Sequence, residues 1–185
     1  MLTSEAFAEL LKRFQWPLYV FLRGFISDPE QSRDLVQDVF CDAWRSVQRA
    51  AAPFDGLSDE EAIRRWLFNA AYRRAVSALR RRRLIRWESL DVLTDELASG
   101  MPLLTLPFED TVLEATVLRA TFAALTPESV ALLLLNIVHG FTTAEIADII
   151  GISHEATKKQ LTRAKQRLRA EYLARNPLTQ EAPHQ

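Results

Sequence analysis

The sequence predicts an all-α protein of two small helical domains joined by an acidic linker, and three observations predict it. Apolar residues recur at spacings of three and four in both halves, and the alternation of a strand is missing. Only five of 185 residues are glycine, while 48% are hydrophobic and 25% charged, which suits a helix-rich globular chain with a core to bury. Charge is strongly segregated. Positions 64–86 hold nine arginines and no acid, and positions 88–114 hold seven acids and no base. Gly100, Pro102 and Pro107 interrupt the acidic stretch without a sustained period. The chain therefore divides into a domain at 1–87, a linker at 88–110, a second domain at 111–175 and a tail at 176–185.

In the first domain Phe7, Leu10, Leu11 and Phe14 form one stripe, and Pro17 predicts a kink or restart before Leu18, Phe21, Leu22 and Phe25. Asp28-Pro29-Glu30-Gln31 then supplies an N-cap acid, a proline at the first helical position and a glutamine spaced for a capping box. Leu35, Val36, Val39, Phe40, Ala43, Trp44 and Val47 make the buried side of that second helix. Asp34, Asp38 and Asp42 fall at i, i+4 and i+8 on another face. A loop from about Ala50 to Asp59 contains Pro53 and Gly56. Ile63, Trp66, Leu67, Ala70, Ala71, Val76 and Leu79 pattern a third helix that carries the arginines on its remaining surface. Phe40, Trp44 and Trp66 lie on apolar stripes and read as core.

In the second domain Thr126-Pro127-Glu128 starts a helix whose apolar run through Val138 ends at Gly140, a suitable left-handed cap. Thr142-Thr143-Ala144-Glu145 gives a capping box, so a short helix starts at Thr143 and ends at Gly151. Ser153 caps a third, longer helix from His154 to about Leu173. Ala147, Ile152 and Leu161 suit a close crossing of the last two helices, with Ile146, Ile150, Ala164 and Leu168 extending the core. Spacing alone fits a small bundle with a solvated basic face equally well. The capping box, the glycine turn and the basic third helix occur together at helix-turn-helix spacing, and this tips the reading to DNA binding. The N-terminal turn of the last helix is expected to face base edges, and its lysines and arginines phosphates.

Composition excludes several classes. The longest uncharged apolar stretch, Val130 to Val138, is far short of the roughly 20 residues a membrane span needs. The start MLTSEAFAELLKRF lacks the pattern of a secretory signal, so a cytoplasmic location is expected. Cys41 is the only cysteine, which leaves no internal disulfide and no cysteine-based zinc site. His139 and His184 have no ligand-like companions and are assigned no role. No His, Cys, Asp or Glu set has a usable spacing, so neither an enzyme nor a metal or cofactor is expected. The net charge of −1 argues against indiscriminate coating of nucleic acid.

The stretch from Leu125 to Leu168, with Gly140, Thr142, Glu145-Ile146-Ala147, Gly151-Ile152-Ser153, Thr157-Lys158-Lys159 and Arg163-Ala164, resembles the C-terminal promoter-reading domain of bacterial sigma factors. LuxR-type activators carry a similar motif, and the first domain discriminates. Asp34-Leu35-Val36-Gln37-Asp38-Val39-Phe40 followed by Ala43-Trp44 resembles the polymerase-binding helix of extracytoplasmic-function sigma factors. Trp66-Leu67, Ala71 and Leu79-Arg80-Arg81-Arg82 resemble the promoter-melting helix of the same family. The resemblance covers nearly all of the chain outside the linker and tail.

The resemblance implies a sigma2-like bundle and a sigma4-like helix-turn-helix in a protein without catalytic chemistry, which binds core RNA polymerase and directs it to promoters. It implies that Ser153, His154, Glu155, Thr157, Lys158, Lys159, Arg163 and Lys165 read the duplex minus-thirty-five element. A melted minus-ten strand would be taken by Phe54, Asp55 and Gly56 of the loop with Asn69, Arg73, Arg74, Ser77, Arg80 and Arg81 of the arginine helix, a cationic groove beside base pockets. Asp34, Leu35, Gln37, Asp38, Phe40 and Asp42 would meet the beta-prime clamp of the polymerase. The family usually has asparagine where this chain has Arg73 and aspartate where it has Ser77, and Arg73 attracts phosphate without accepting a hydrogen bond. An anti-sigma factor is the further partner implied, and near-neutral net charge predicts weak DNA binding by the free chain. The alternatives are a stand-alone helix-turn-helix regulator and a helical adaptor that binds proteins only.

Overall fold

The computed structural model describes residues 4–26, 28–49, 54, 59–88 and 112–176, and every regular element among them is helical. The first unit holds α1 (Ser4–Arg23), α2 (Pro29–Gln48) and α3 (Glu60–Glu88). The second holds α4 (Val112–Ala123), α5 (Pro127–Leu133), a π-helical turn (Leu134–Val138), α6 (Thr143–Ile150) and α7 (His154–Arg175). Glu88 belongs to α3, and most of the expected linker and tail lie outside the described residues.

The restart expected at Pro17 does not occur, and α1 continues through it as one helix. The proline removes one backbone bond, at a cost of about 3 kcal/mol. Phe14, Leu18, Phe21 and Leu22 nevertheless keep a single buried stripe at i, i+4, i+7 and i+8 across it. Each such burial contributes about 1.5–3 kcal/mol, so the stripe outweighs the proline. In α2 the Asp28 carboxylate caps as expected, accepting from the amides of Glu30 at 2.9 Å and Gln31 at 3.4 Å. The reciprocal half of the capping box is missing. Gln31 Oε1 is buried without a partner among the described residues, and the Ser32 hydroxyl instead donates to the Asp28 carbonyl at 2.9 Å. Leu18, Leu22, Ile26, Val39, Ala43, Leu67 and Ala71 fill the space between the three helices.

In the second unit α4, α5 and α6 all pack on α7. The Thr126 hydroxyl caps α5 by accepting from the Ser129 amide. Six consecutive residues, Val130 to Leu135, are then buried, and one stripe of an α-helix cannot bury six in a row. Part of this run faces its own unit and part faces the first. A Cβ at Gly24, just past α1, would overlap Leu134 Cδ1, so glycine is what permits this approach. The buried apolar residues of both units accordingly form one continuous cluster. The run leaves α-helical geometry over Leu134–Val138, where the His139 amide donates to the Leu134 carbonyl at 3.0 Å and the Phe141 amide to that of Leu135 at 2.9 Å. Gly140, at φ +69°, turns the chain toward α6.

Candidate nucleic-acid interface

The helix-turn-helix is built by its caps. The Thr142 hydroxyl accepts from the Glu145 amide, and the Glu145 carboxylate accepts from the Thr142 amide at 2.8 Å, which closes the predicted capping box. The Thr142 amide and then its hydroxyl, with a smaller contribution from Arg65, hold the Glu145 carboxyl below the usual carboxylate range. Gly151, at φ +80°, ends α6, and the Ser153 hydroxyl accepts from the Ala156 amide to start α7. Ala147, Ile146, Leu161 and Ala164 are buried between the helices as expected, and Ile149 joins them.

The outer face of α7 exposes His154, Glu155, Lys158, Lys159, Arg163 and Lys165, with the cap Ser153 at its start. His154 Nε2 lies 2.9 Å from the Thr143 hydroxyl, which fixes the ring at the start of the helix. Lys158 reaches Glu155 at 3.4 Å, while Lys159, Arg163, Lys165, Arg167 and Arg169 form no ion pair among the described residues. Arg163 and Arg167 border the cleft between α7 and α5, beside Thr126 and Glu128. Thr157 departs from the reading. It is fully buried, and its hydroxyl donates to the Ser153 carbonyl, so it supports the first turn instead of facing a groove.

The arginine helix is divided between exposed and engaged positions. Arg73, Ser77, Arg80 and Arg81 are exposed. Arg74 turns to α2, pairing with Asp38 at 2.8 Å and with Asp42. Asn69 turns to the second unit, donating to the carbonyls of Ile149 at 2.6 Å and Asp148 at 3.4 Å. Phe54 is buried edge-on against Trp66 at 5.1 Å, which makes it a wall of the fold rather than an open base platform. Asp55 and Gly56 lie outside the described residues. On α2, Asp34, Gln37 and Asp38 are exposed and Asp42 is partly so, whereas Leu35 and Phe40 are core residues and offer no surface to a partner.

Sequence reasoning passed over a second group, where the units meet. Arg64 donates to the His139 carbonyl and stacks over the Phe141 ring. Phe68 packs at 4.6 Å from the His139 ring and 5.1 Å from that of Phe141, with Phe21 at 5.9 Å from His139. Arg65 pairs with Glu145 at 3.5 Å. His139, given no role from the sequence, thus sits at the centre of this contact. Burial first, and the Arg64 charge second, push its imidazole down to about 4. Trp66-Leu67-Phe68, three consecutive large apolar residues, was the available signal that α3 buries more than one face.

Residues 116–168 match the family described as Sigma-70, region 4. Over 166 residues the chain is 28% identical to the ECF RNA polymerase sigma factor SigX of Bacillus subtilis (strain 168), spanning 84% of this chain and 77% of that relative. The sigma factor RpoE of Bartonella quintana, solved with the anti-sigma factor NepR, superposes with a TM-score of 0.69 at 22% identity, covering 89% of this chain and 95% of that one. CnrH, solved with the cytosolic domain of CnrY, gives a TM-score of 0.60 at 23% identity over 97% of this chain and 92% of its own. Both likenesses are of fold. A three-helix unit followed by a region 4 helix-turn-helix defines a non-enzymatic sigma factor that directs transcription initiation. Within that class the chain is similar to the extracytoplasmic-function sigma factors.

Proposed function

We propose that this sigma factor divides promoter recognition between its two units, at about 1–87 and 111–175, across the linker at 88–110. The exposed cationic face of α7 behind the anchored His154 carries the proposal. His154, Glu155, Lys158 and Lys159 read base edges and flanking phosphates of the duplex minus-thirty-five element, and Arg163 and Lys165 neutralise phosphates further along. Arg73, Arg80 and Arg81, with Ser77 between them, line the path of the melted minus-ten strand, and Asn69 joins them once released from α6. Asp34, Gln37 and the outer edges of Asp38 and Asp42 meet the beta-prime clamp of core RNA polymerase.

The fold neighbours were solved with anti-sigma partners, which supports an anti-sigma factor as the further partner of this chain. Among the described residues no helix is long and apolar enough to cross a membrane, and a cytoplasmic site of action follows from the promoter as target. The test is reconstitution of the full chain with core polymerase on a genomic promoter library. Binding to core and initiation at a defined promoter set are expected, and failure of either overturns the proposal.

A further inference from the structure

We propose that Thr143, the first residue of α6, is a positioning residue for promoter reading: its hydroxyl fixes which ring nitrogen His154 turns to the duplex, and so sets the base preferred at one position of the minus-thirty-five element. The inference rests on the reading of base edges by His154 proposed above.

Two adjacent threonines have separate tasks. The Thr142 hydroxyl is consumed by the cap of α6, accepting from the Glu145 amide at 3.3 Å and donating to the Glu145 carboxylate at 2.7 Å. The Thr143 hydroxyl stays out of that box and lies 2.9 Å from His154 Nε2. A threonine inside a helix can turn its hydroxyl back to the carbonyl three or four residues earlier. For Thr143 those residues, Gly140 and His139, precede α6, and the His139 carbonyl already accepts from Arg64. Branching at Cβ restricts the rotamers of Thr143, and the residue is partly buried. Its hydroxyl is therefore a fixed point on the scaffold, offered to α7.

His154 is the side chain that this point holds. Among the described residues its bond to Thr143 is the only one between a side chain of α6 and a side chain of α7. The rest of that crossing is apolar, through Ile146, Ala147, Leu161 and Ala164. No other reading side chain is tied to the scaffold in this way. Lys158 meets Glu155 at 3.4 Å, but both lie exposed on α7 itself, where an ion pair constrains little. A neutral imidazole has one donor and one acceptor nitrogen, so the role taken by Nε2 dictates that of Nδ1. With Nε2 held by Thr143, Nδ1 is the ring nitrogen left to a base or to a bridging water. Carrying the proton, Nδ1 matches an acceptor such as guanine N7 or O6; without it, Nδ1 matches the amino group of adenine or cytosine. Thr143 touches no base, yet it governs this match through the ring.

The test compares the parent, Thr143→Val, Thr143→Ser and His154→Ala as full chains reconstituted with core polymerase, on duplexes in which each base pair of the upstream element is varied singly. Valine keeps the shape of Thr143 and removes the bond, serine keeps a hydroxyl, and both leave the Thr142 cap in place; thermal unfolding of the free chains checks that each is folded. His154→Ala is expected to lose discrimination at one base pair. Thr143→Val should lose about two- to tenfold of discrimination at that same pair, the factor one hydrogen bond carries, with the salt slope unchanged, and Thr143→Ser should recover part of it. The nitrogen-15 shifts of the His154 ring, read on the free chain at pH 8, should move in Thr143→Val and return in part in Thr143→Ser. Unmoved ring shifts in Thr143→Val overturn the positioning role, as does full discrimination by that variant at a pair where His154→Ala has lost it. Equal weakening of Thr143→Val on every sequence with a lower salt slope also overturns it, and would make Thr143 a phosphate contact. No change of preference in His154→Ala would instead overturn the reading of bases by His154 on which the inference stands.

Discussion

The Arg64 guanidinium lies 4.0 Å from the centroid of the Phe141 ring, joining the longest helix of the first unit to the turn that opens the helix-turn-helix of the second. The same group donates to the His139 carbonyl, so one side chain closes two contacts. Lysine has no planar face to stack and no fork to share between a ring and a carbonyl. Arg64→Lys is expected to weaken the contact by about 1 kcal/mol, and Arg64→Ala by about 1–3 kcal/mol. Hydrogen exchange at the Phe141 amide, bonded to the Leu135 carbonyl, should quicken in the order parent, lysine, alanine. Identical protection in all three would show that the stack contributes nothing.

The His139 imidazole, pushed down to about 4 chiefly by burial, makes the same contact sensitive to acid. The charged group against it is Arg64 from α3, while α1 faces it with the Phe21 ring. In an open chain the ring returns to its ordinary value of about 6.5 and takes up a proton first. Stability of the closed form is therefore complete above about pH 6.5 and is lost as pH falls toward about 4, at no more than roughly 1.4 kcal/mol per pH unit. Small-angle scattering at pH 7 and pH 5 should show expansion of the parent and none for His139→Leu. Equal expansion of both would assign the transition to another group.

The helices, the caps and the turn were legible because each rests on local chemistry. Asp28, Thr126, Thr142, Ser153, Gly140 and Gly151 act within four residues of their own position. Pro17 misled because its local cost is outweighed by a stripe whose partners are distant in sequence. The exposed α7 cations follow from helical periodicity, whereas Thr157 was misplaced by one step around the same helix. The contact between the units was not read at all, although Val130–Leu135 and Trp66–Phe68 are too continuously apolar for one buried face each. Pairing those two runs requires knowing that the chain folds back, which no window of local sequence contains.

The salt dependence of duplex binding separates the phosphate contacts proposed for α7 from its supporting residues. Each neutralised phosphate contributes about 0.9 to the slope of log affinity against log salt. Arg163→Ala and Lys165→Ala are each expected to lower that slope by about one and to weaken binding similarly across sequences. Thr157→Val should leave the slope unchanged and lower the stability of the unit by about 1 kcal/mol, since its hydroxyl serves the Ser153 carbonyl. A slope change in the Thr157 variant would mean that the residue reaches DNA.

Arg73 and Arg74 are neighbours in sequence with opposite expected behaviour. Arg73 is exposed on α3, and Arg74 is tied to Asp38 and Asp42 of α2. Its partners are partly solvated, so Arg74→Ala should cost the first unit about 1 kcal/mol or less in denaturant unfolding. The same variant should leave the salt slope for single-stranded DNA unchanged, because its charge is already balanced by two carboxylates. Arg73→Ala should do the reverse, lowering the slope by about 0.7 for one lost strand phosphate while unfolding at the same denaturant concentration as the parent. Because the two positions share a helix and a charge, only the side chain's direction distinguishes them, and the paired measurement reads that direction. An Arg74 variant with a reduced slope and unaltered stability would place Arg74 on the strand and leave the α2 acids free for the polymerase.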